Sequence, residues 1–423
     1  QNINSKLQKP RISIRFSLVI IIFILWTLMQ LIIPVKFLSF NLLSSLEIFK
    51  TMVPAFGIIL SFFLYYDKLR FDHLPKPLII FLFFISISTI LEYMFFSSNI
   101  KIFATPIMHM LWIFAMFIVV PSVFSSLHKI RVFLRLIITT NIITLMIVLI
   151  FAVLVELKFE EIFKEDRLTL FYGNPLYLGA IFYSIFCCCS ILLWMSNSKL
   201  EKLILILFIN FSLIMLFFSF SRTFLLAALI GVIIFVYYNM KQFRDVFIVI
   251  FTTLLITFII GIIYANLFMN IDLYTILNSI SSNRLFIWNL GLENKLDSWG
   301  IFFGEGFSKV PELLQHEQAY KDGQVVSTFQ RFNIDNTYIE IFLNYGILGL
   351  ITFVWGIRNI FGTNILHKIK SIQEYYPLSG LYYLVFSILI SIFFSALFYS
   401  HYPSLGNTIN SAALPASLSI LFL

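Results

Sequence analysis

The chain has 423 residues, 60% of them hydrophobic and 12% charged, with a mean hydropathy of +0.95. Soluble domains carry about 25% charged residues, so this composition excludes an ordinary soluble protein and points to a polytopic membrane protein. The net charge of +8 comes from basic residues spread over short loops, as membrane orientation requires, and is not a nucleic-acid signal.

Backbone polar groups in lipid must be satisfied within each span, and runs of roughly 20 apolar residues predict helices rather than the alternating short strands of an outer-membrane barrel. The expected fold class is therefore all-α, a helical bundle of about twelve transmembrane helices. The expected spans are 14–33, 46–66, 77–97, 104–121, 132–155, 175–195, 203–219, 222–239, 246–266, 337–357, 378–398 and 406–423. The first run is too long for a signal-peptide core and lacks a convincing cleavage site, so it is taken as a span. The seventh and eighth are separated only by the turn around Ser221, and could form one bent hydrophobic hairpin. The chain reads as a single transmembrane domain over 1–423. It stops at Leu423 without a polar tail, which leads us to expect a short further C-terminal piece.

Lysine and arginine placement sets the expected orientation. The N-terminus carries Lys6, Lys9, Arg11 and Arg15. Lys129, Arg131 and Arg135, then Lys241 and Arg244, then Arg358, Lys368 and Lys370 fall on the same side if the spans alternate. That side is expected to be the cytoplasm, with both termini there. The opposite loops are acidic: 156–174 holds Glu156, Glu160, Glu161, Glu165 and Asp166, and the long loop 267–336 is also net negative. Within that loop Leu285, Trp288, Leu292, Leu296 and Trp299 recur at helical spacing, predicting an amphipathic helix over 284–299 in the outer interface, with Asn283 as a candidate cap. For 308–333 we expect a short helix followed by a mobile loop. Cys187, Cys188 and Cys189 are consecutive and point about 100° apart on a helix, so they cannot chelate one metal together and read as small lipid- or core-facing residues.

Four marked spots remain on the outer side. Arg222 opens the eighth span inside Ser219-Phe220-Ser221-Arg222-Thr223. An arginine at membrane depth needs an anion or a wet cavity; the bland alternative is a snorkelling span end. Its planar fork matches phosphate oxygens. Arg167 precedes Gly173-Asn174-Pro175; it could simply pair with Asp166 or Glu165, and the proline suits a first helical turn. Arg284 lies one turn before Trp288 and could stack on it. Arg331, His316 and His401 read as incidental loop residues. Asp335-Asn336 stands before the tenth span; Thr337-Tyr338-Ile339-Glu340 has the form of a capping box, so both could merely finish a turn. Beside several arginines, however, a carboxylate stays ionised and can take a proton from an attacking hydroxyl. Converging outside the membrane, these residues would form a cationic pocket for a lipid-linked pyrophosphate. The sequence shows no Walker A pattern and no metal-ligand cluster. Most span centres lack ionisable residues, which speaks against an ion-coupled transporter.

These segments together resemble the O-antigen polymerase and O-antigen ligase superfamily of bacterial polysaccharide assembly. The resemblance runs from about residue 160 to 355. It is carried by Arg167 with Phe171-Tyr172-Gly173-Asn174-Pro175-Leu176-Tyr177-Leu178-Gly179, by Ser221-Arg222, by Asn283-Arg284-Leu285-Phe286-Ile287-Trp288, by Gly304-Glu305-Gly306, and by Asp335-Asn336-Thr337-Tyr338 through Gly346-Ile347-Leu348-Gly349. It implies a GT-C-like glycosyltransferase, independent of metal and of any cofactor, in the bacterial inner membrane with its site facing the periplasm or exterior. The donor would be a glycan on undecaprenyl pyrophosphate, and the product a lipopolysaccharide, capsule or similar surface glycan. Arg222, Arg284 and Arg167 would hold the pyrophosphate. Asn174, Asn336, Tyr338, Glu305 and Trp288 would bind substrate. Asp335 would be the base, with Glu305 as the fallback. Ligases of this family carry His-Asn where this chain has Asp335-Asn336, so a polymerase is favoured over a ligase. A transporter or lipid-oligosaccharide flippase is the reading from a different class. Membrane lipid and a chain-length regulator protein are the candidate partners, with no nucleic acid.

Overall fold

The computed structural model describes residues 13–32, 56–69, 71, 74–95, 107, 110–111, 113–154, 163–164, 167–168, 175–219, 221–239, 256, 274–275, 284–293, 300–304, 306, 315–316, 320–321, 324–325, 330–331, 336–359 and 376–395. Helix dominates them. In chain order these are α1 (Ile14–Ile32), α2 (Lys76–Phe95), α3 (Leu127–Leu154), α4 (Pro175–Met195), α5 (Lys199–Phe218), α6 (Arg222–Asn239), α7 (Arg284–Glu293), α8 (Gly300–Phe303), α9 (Thr337–Asn359) and α10 (Tyr376–Ser395). Residues 56–64 are also helical, and a π-helical turn Ala115–Val119 runs into a helical turn Val120–Val123 before α3. Among the described residues five helices are long and apolar enough to cross a membrane, and shorter apolar helices cover Thr223–Tyr238 and Gly380–Phe394. The expected spans at 246–266 and 406–423 lie outside the described helices.

Local sequence sets the boundaries. Pro175 opens α4, where its missing N–H removes no helical hydrogen bond. The Ser198 hydroxyl accepts from the Glu201 N–H at 3.4 Å and caps α5. Between α5 and α6 only Ser219–Ser221 intervene, so the seventh and eighth expected spans are two separate helices.

α4 is the central helix. Every residue from Leu178 to Cys189 is buried, because α3, α5, α6 and α10 all pack on it. Cys187, Cys188 and Cys189 therefore face protein on every side and belong to the core, not to lipid. α5 instead leaves Leu203, Leu207, Phe211, Ile214 and Phe218 exposed, an apolar face of the kind lipid would cover.

The pairings fix which helix ends share a side. Phe182 on α4 meets Phe211 on α5, ring centroids 5.8 Å apart, an antiparallel hairpin. α10 runs antiparallel to α6: Tyr238 stacks on Tyr383 at 5.5 Å, and Gly231 packs on Ser391. α10 is antiparallel to α4 as well, through the hydrogen bond between Tyr183 and Ser391 and the seat of Trp194 on Gly380. α9 is antiparallel to α2, with Phe81 5.2 Å from Phe353 and Leu78 on Gly356. One end of the bundle thus gathers the starts of α1, α2, α3 and α5 and the ends of α4 and α9. It is rich in basic side chains. There the Arg15 guanidinium donates to the Leu64 carbonyl at 3.2 Å and pairs with Asp67 at 3.4 Å. The Lys129 ammonium donates to the Val123 carbonyl at 3.2 Å, and Arg135 Nε donates to Glu201 at 2.9 Å. The opposite end gathers the starts of α4, α6 and α9 and the ends of α2, α5 and α10.

Two-residue antiparallel strands decorate the loops: β1 (Phe163–Lys164) with β2 (Arg167–Leu168), β3 (Gln315–His316) with β6 (Gln330–Arg331), and β4 (Tyr320–Lys321) with β5 (Gln324–Val325). The last two pairs are nested in sequence, so the described residues of 308–333 are paired strands; the rest of the helix and mobile loop expected there lies outside the described residues. The signal was present: Asp322-Gly323 is the dipeptide favoured between strands joined by two residues, and Lys321 pairs with Gln324 around it. The amphipathic helix expected over 284–299 is helical over Arg284–Glu293.

Candidate functional site

The motif-bearing segments lie at the end of the bundle opposite the basic one. α4 enters there, and at Gly179 its backbone packs directly on Ser221 and, at 3.2 Å from where a Cβ would stand, on Phe224. Only a residue without a side chain lets the helices approach this closely. This contact joins the turn after Asn174 to the start of α6, the helix that Arg222 opens. Ser221 is buried, and among the described residues its hydroxyl has no hydrogen-bond partner. Arg167 lies in β2, which rests against α4 and α5. Two of the expected segments therefore meet at the α5–α6 junction, and β2 rests on the same pair of helices.

The start of α9 completes the set. Asn336 is the cap: its Oδ1 accepts from the Tyr338 N–H at 2.9 Å and the Ile339 N–H at 3.0 Å, while its carbonyl accepts from the Glu340 N–H at 3.0 Å. The helix therefore begins one residue earlier than a capping box headed by Thr337 requires, and the amide does the work. The Tyr338 hydroxyl donates to the Phe393 carbonyl at 3.0 Å, tying the start of α9 to the end of α10. Because α10 lies along α6, the first turn of α9 and that of α6 share one end of the bundle.

Arg284 opens α7, and that helix docks on α9: Ile287 and Trp288 pack with Ile339 and Phe342 around the fully buried Leu343. Trp288 thus anchors α7 to α9. Asn174, Glu305 and Asp335 lie outside the described residues, as do the side chains of Arg167, Arg222 and Arg284.

Sequence reasoning missed a second polar centre at this end. α9 is broken at Gly346, whose φ of 71° and ψ of −174° are not helical. Gly304, at φ 89°, presses on the Asn344 carbonyl, and Gly346 presses in turn on the Phe302 carbonyl. A Cβ at either glycine would collide with backbone, and the left-handed φ is strained for any other residue. The Asn344 carbonyl, released from the helical ladder, accepts from the Ser88 hydroxyl at 2.9 Å and from the Gly306 N–H at 3.3 Å. One turn beyond Ser88 on α2, the Glu92 carboxylate lies directly against Gly306. Glu92 is 2% exposed and Asn344 1%. The sequence signal for Glu92 was a lone carboxylate inside an apolar run, one of the costliest residues to place there without a purpose.

No curated protein matches the chain. Residues 206–354 match the model of a family described as O-antigen ligase. The match takes in Arg222, Arg284, Gly304, Gly306, Asp335, Asn336 and the break at Gly346; Arg167, Asn174 and Glu92 lie before it. Over 206–354, about a third of the chain, the sequence is thus similar to the O-antigen ligase family.

Proposed function

We propose that this membrane protein is a repeat-unit polymerase of a bacterial surface polysaccharide, a GT-C-like bundle of about twelve spans in the inner membrane. The end opposite the basic loops faces the periplasm or exterior, and both termini are cytoplasmic. In the reaction a hydroxyl oxygen of one lipid-linked repeat unit attacks the anomeric carbon of a glycan carried on undecaprenyl pyrophosphate. The new C–O bond forms as the bond to the pyrophosphate oxygen breaks. The electron pair leaves with undecaprenyl pyrophosphate, and the hydroxyl proton passes to Asp335, with Glu305 as the alternative base. Arg222, Arg284 and Arg167 bind the pyrophosphate and stabilise the charge that develops on it, so guanidinium groups supply what a metal would supply elsewhere. Asn174, Asn336, Tyr338 and Trp288 shape and line the acceptor and donor surfaces.

The observation that carries this reading is the seat of Gly179 on Ser221, which brings the turn after Asn174 beside the helix that Arg222 opens. The tie from Tyr338 to Phe393 supports adding the start of α9 to the same end. The matched family's description supports a second reading, transfer of a finished glycan to a different lipid acceptor. Incubating the purified full chain with a defined lipid-linked repeat unit separates the two. A ladder of products is expected for the polymerase; a single addition to another lipid identifies a ligase; intact substrate moved between leaflets, with neither product, identifies a flippase.

A further inference from the structure

Among the described helices long and apolar enough to cross a membrane, α5 is the least buried. Its 20 residues rise about 30 Å at 1.5 Å per residue, the thickness of a hydrocarbon core. Leu200, Leu203, Leu207, Ile214 and Phe217 are all exposed on it. Together with Asn210 they recur at alternating steps of three and four, which draws one stripe down the helix. Asn210 is exposed as well and stands near the middle of the helix, far from water on either side. Its Nδ2 donates back to the Ile206 carbonyl at 2.9 Å. Among the described residues nothing uses the second N–H or the Oδ1. A side-chain amide has two donors and two acceptor lone pairs. Hydrocarbon offers it nothing in return, so leaving half the amide open at that depth is costly. Lipid suits Phe211 and Phe218 beside the stripe, but not its centre.

We propose that the α5 stripe docks on the same stripe of a second copy of this chain, with the two Asn210 amides hydrogen-bonded to each other across a two-fold axis along the membrane normal. The chemistry of the stripe selects its own copy as the partner. Copies inserted the same way round carry Asn210 at the same depth, so each amide meets its twin with no change of register. A different protein would have to supply a polar group at that depth. The amide is also its own complement: Nδ2–H of each copy donates to Oδ1 of the other, and an isologous contact closes both bonds at once. Alternating steps of three and four suit the left-handed packing common between membrane helices. One asparagine in such a seam fixes register and partner number. No like charges face each other along the stripe. Glu201, at the basic end of α5, is already taken by Arg135 and by the Ser196 hydroxyl, which both donate to it. Which reaction the chain performs does not enter this assignment.

The test uses the full chain, tagged with donor or acceptor fluorophores and reconstituted in liposomes of phosphatidylethanolamine and phosphatidylglycerol. Energy transfer between copies is followed as lipid is added to dilute them. Wild type should show transfer that falls on dilution. Asn210→Leu should need about ten times the protein-to-lipid ratio to reach the same transfer, the loss expected for amide bonds between membrane helices. Asn210→Gln retains donor and acceptor and should lie nearer the wild type. Disulfide cross-linking locates the face: Leu207→Cys and Ile214→Cys should each oxidise to a dimer, whereas Ile147→Cys, similarly exposed but on α3, should not. Cys187, Cys188 and Cys189 are buried and should stay out of the reaction. Asn210→Leu should melt at or above the wild-type temperature, because an exposed leucine suits lipid. A lower melting temperature with unchanged transfer would assign the amide to its own helix and overturn the proposal. If melting and transfer both fall, the Leu207→Cys cross-link decides. A wild type that is monomeric at every dilution overturns the proposal and leaves lipid, or another stretch of the same chain, on the stripe. A dimer that Asn210→Leu does not weaken, or that cross-links through Ile147→Cys and not through the stripe, overturns it as well.

Discussion

At the scale of single residues, Asn336 has two assignments that differ in what they predict. As a cap it satisfies two N–H groups at the head of α9. Asn336→Ala should therefore lower stability by about 1 kcal/mol, while Asn336→Asp, itself a good cap, should retain it. Thermal melting in detergent measures this. A fall in polymerisation with Asn336→Asp at unchanged melting temperature would show that the amide also touches substrate. The arginines are separated from general cationic residues by geometry. Arg222→Lys and Arg284→Lys keep the charge but lose the planar fork, and should slow polymerisation by at least about tenfold. Wild-type ladders from both variants would remove phosphate clamping from the account. Asp335→Asn keeps shape and turn-forming capacity but cannot take a proton. Normal long-chain product from that variant would reduce Asp335 to a turn residue and leave Glu305 as the base.

At the scale of elements, the break in α9 is the structural event on which the end opposite the basic one is built. Gly346 and Gly304 let two backbones touch where helices with side chains could not. Gly346→Ala should therefore do more than exchange one small residue for another. The backbone at Gly346, φ 71° and ψ −174°, lies where almost only glycine is found and costs an alanine about 1–3 kcal/mol, and the collision with the Phe302 carbonyl must push α8 away from α9. The expected result is undocking of α7 and α8 from α9, seen as faster proteolysis between α7 and α9 with the rest of the bundle intact. Protection equal to the wild type would show that the contact does not hold the segment. Much of this architecture was legible in the sequence, and the part that was not has a physical reason. Apolar runs predict helices in lipid almost without ambiguity, so α4 and α6 begin and end where hydropathy places them. Polar loops carry no such periodicity, and the hairpin around Asp322-Gly323 was readable only from its turn dipeptide. The positive φ of Gly346 left no mark at all, because a glycine within an apolar helix is common in membrane spans. The hydrogen bond from Ser88 to the Asn344 carbonyl joins residues 256 positions apart, a separation that composition and spacing do not reach.

At the scale of the whole molecule, alternation and charge converge on one orientation. Antiparallel pairing puts Arg15, Lys129, Arg135 and Arg358 at a single end, and that end should be cytoplasmic, since flanking lysines and arginines resist translocation. The chain is suited to a direct test because its natural thiols are silent. Cys187, Cys188 and Cys189 are buried among α3, α5, α6 and α10 and should not react with a bulky reagent in the folded protein. Single cysteines can then be added without removing them. Asn197, exposed in the α4–α5 turn, reports the basic end, and Asn289, exposed on α7, reports the other. A maleimide that does not cross the inner membrane should label Asn289→Cys in intact cells, and should label Asn197→Cys only after the membrane is permeabilised. The opposite pattern would put the gathered starts of α4, α6 and α9 in the cytoplasm. There a glycan on undecaprenyl pyrophosphate would not yet have been exported, and the polymerase account would lose its donor.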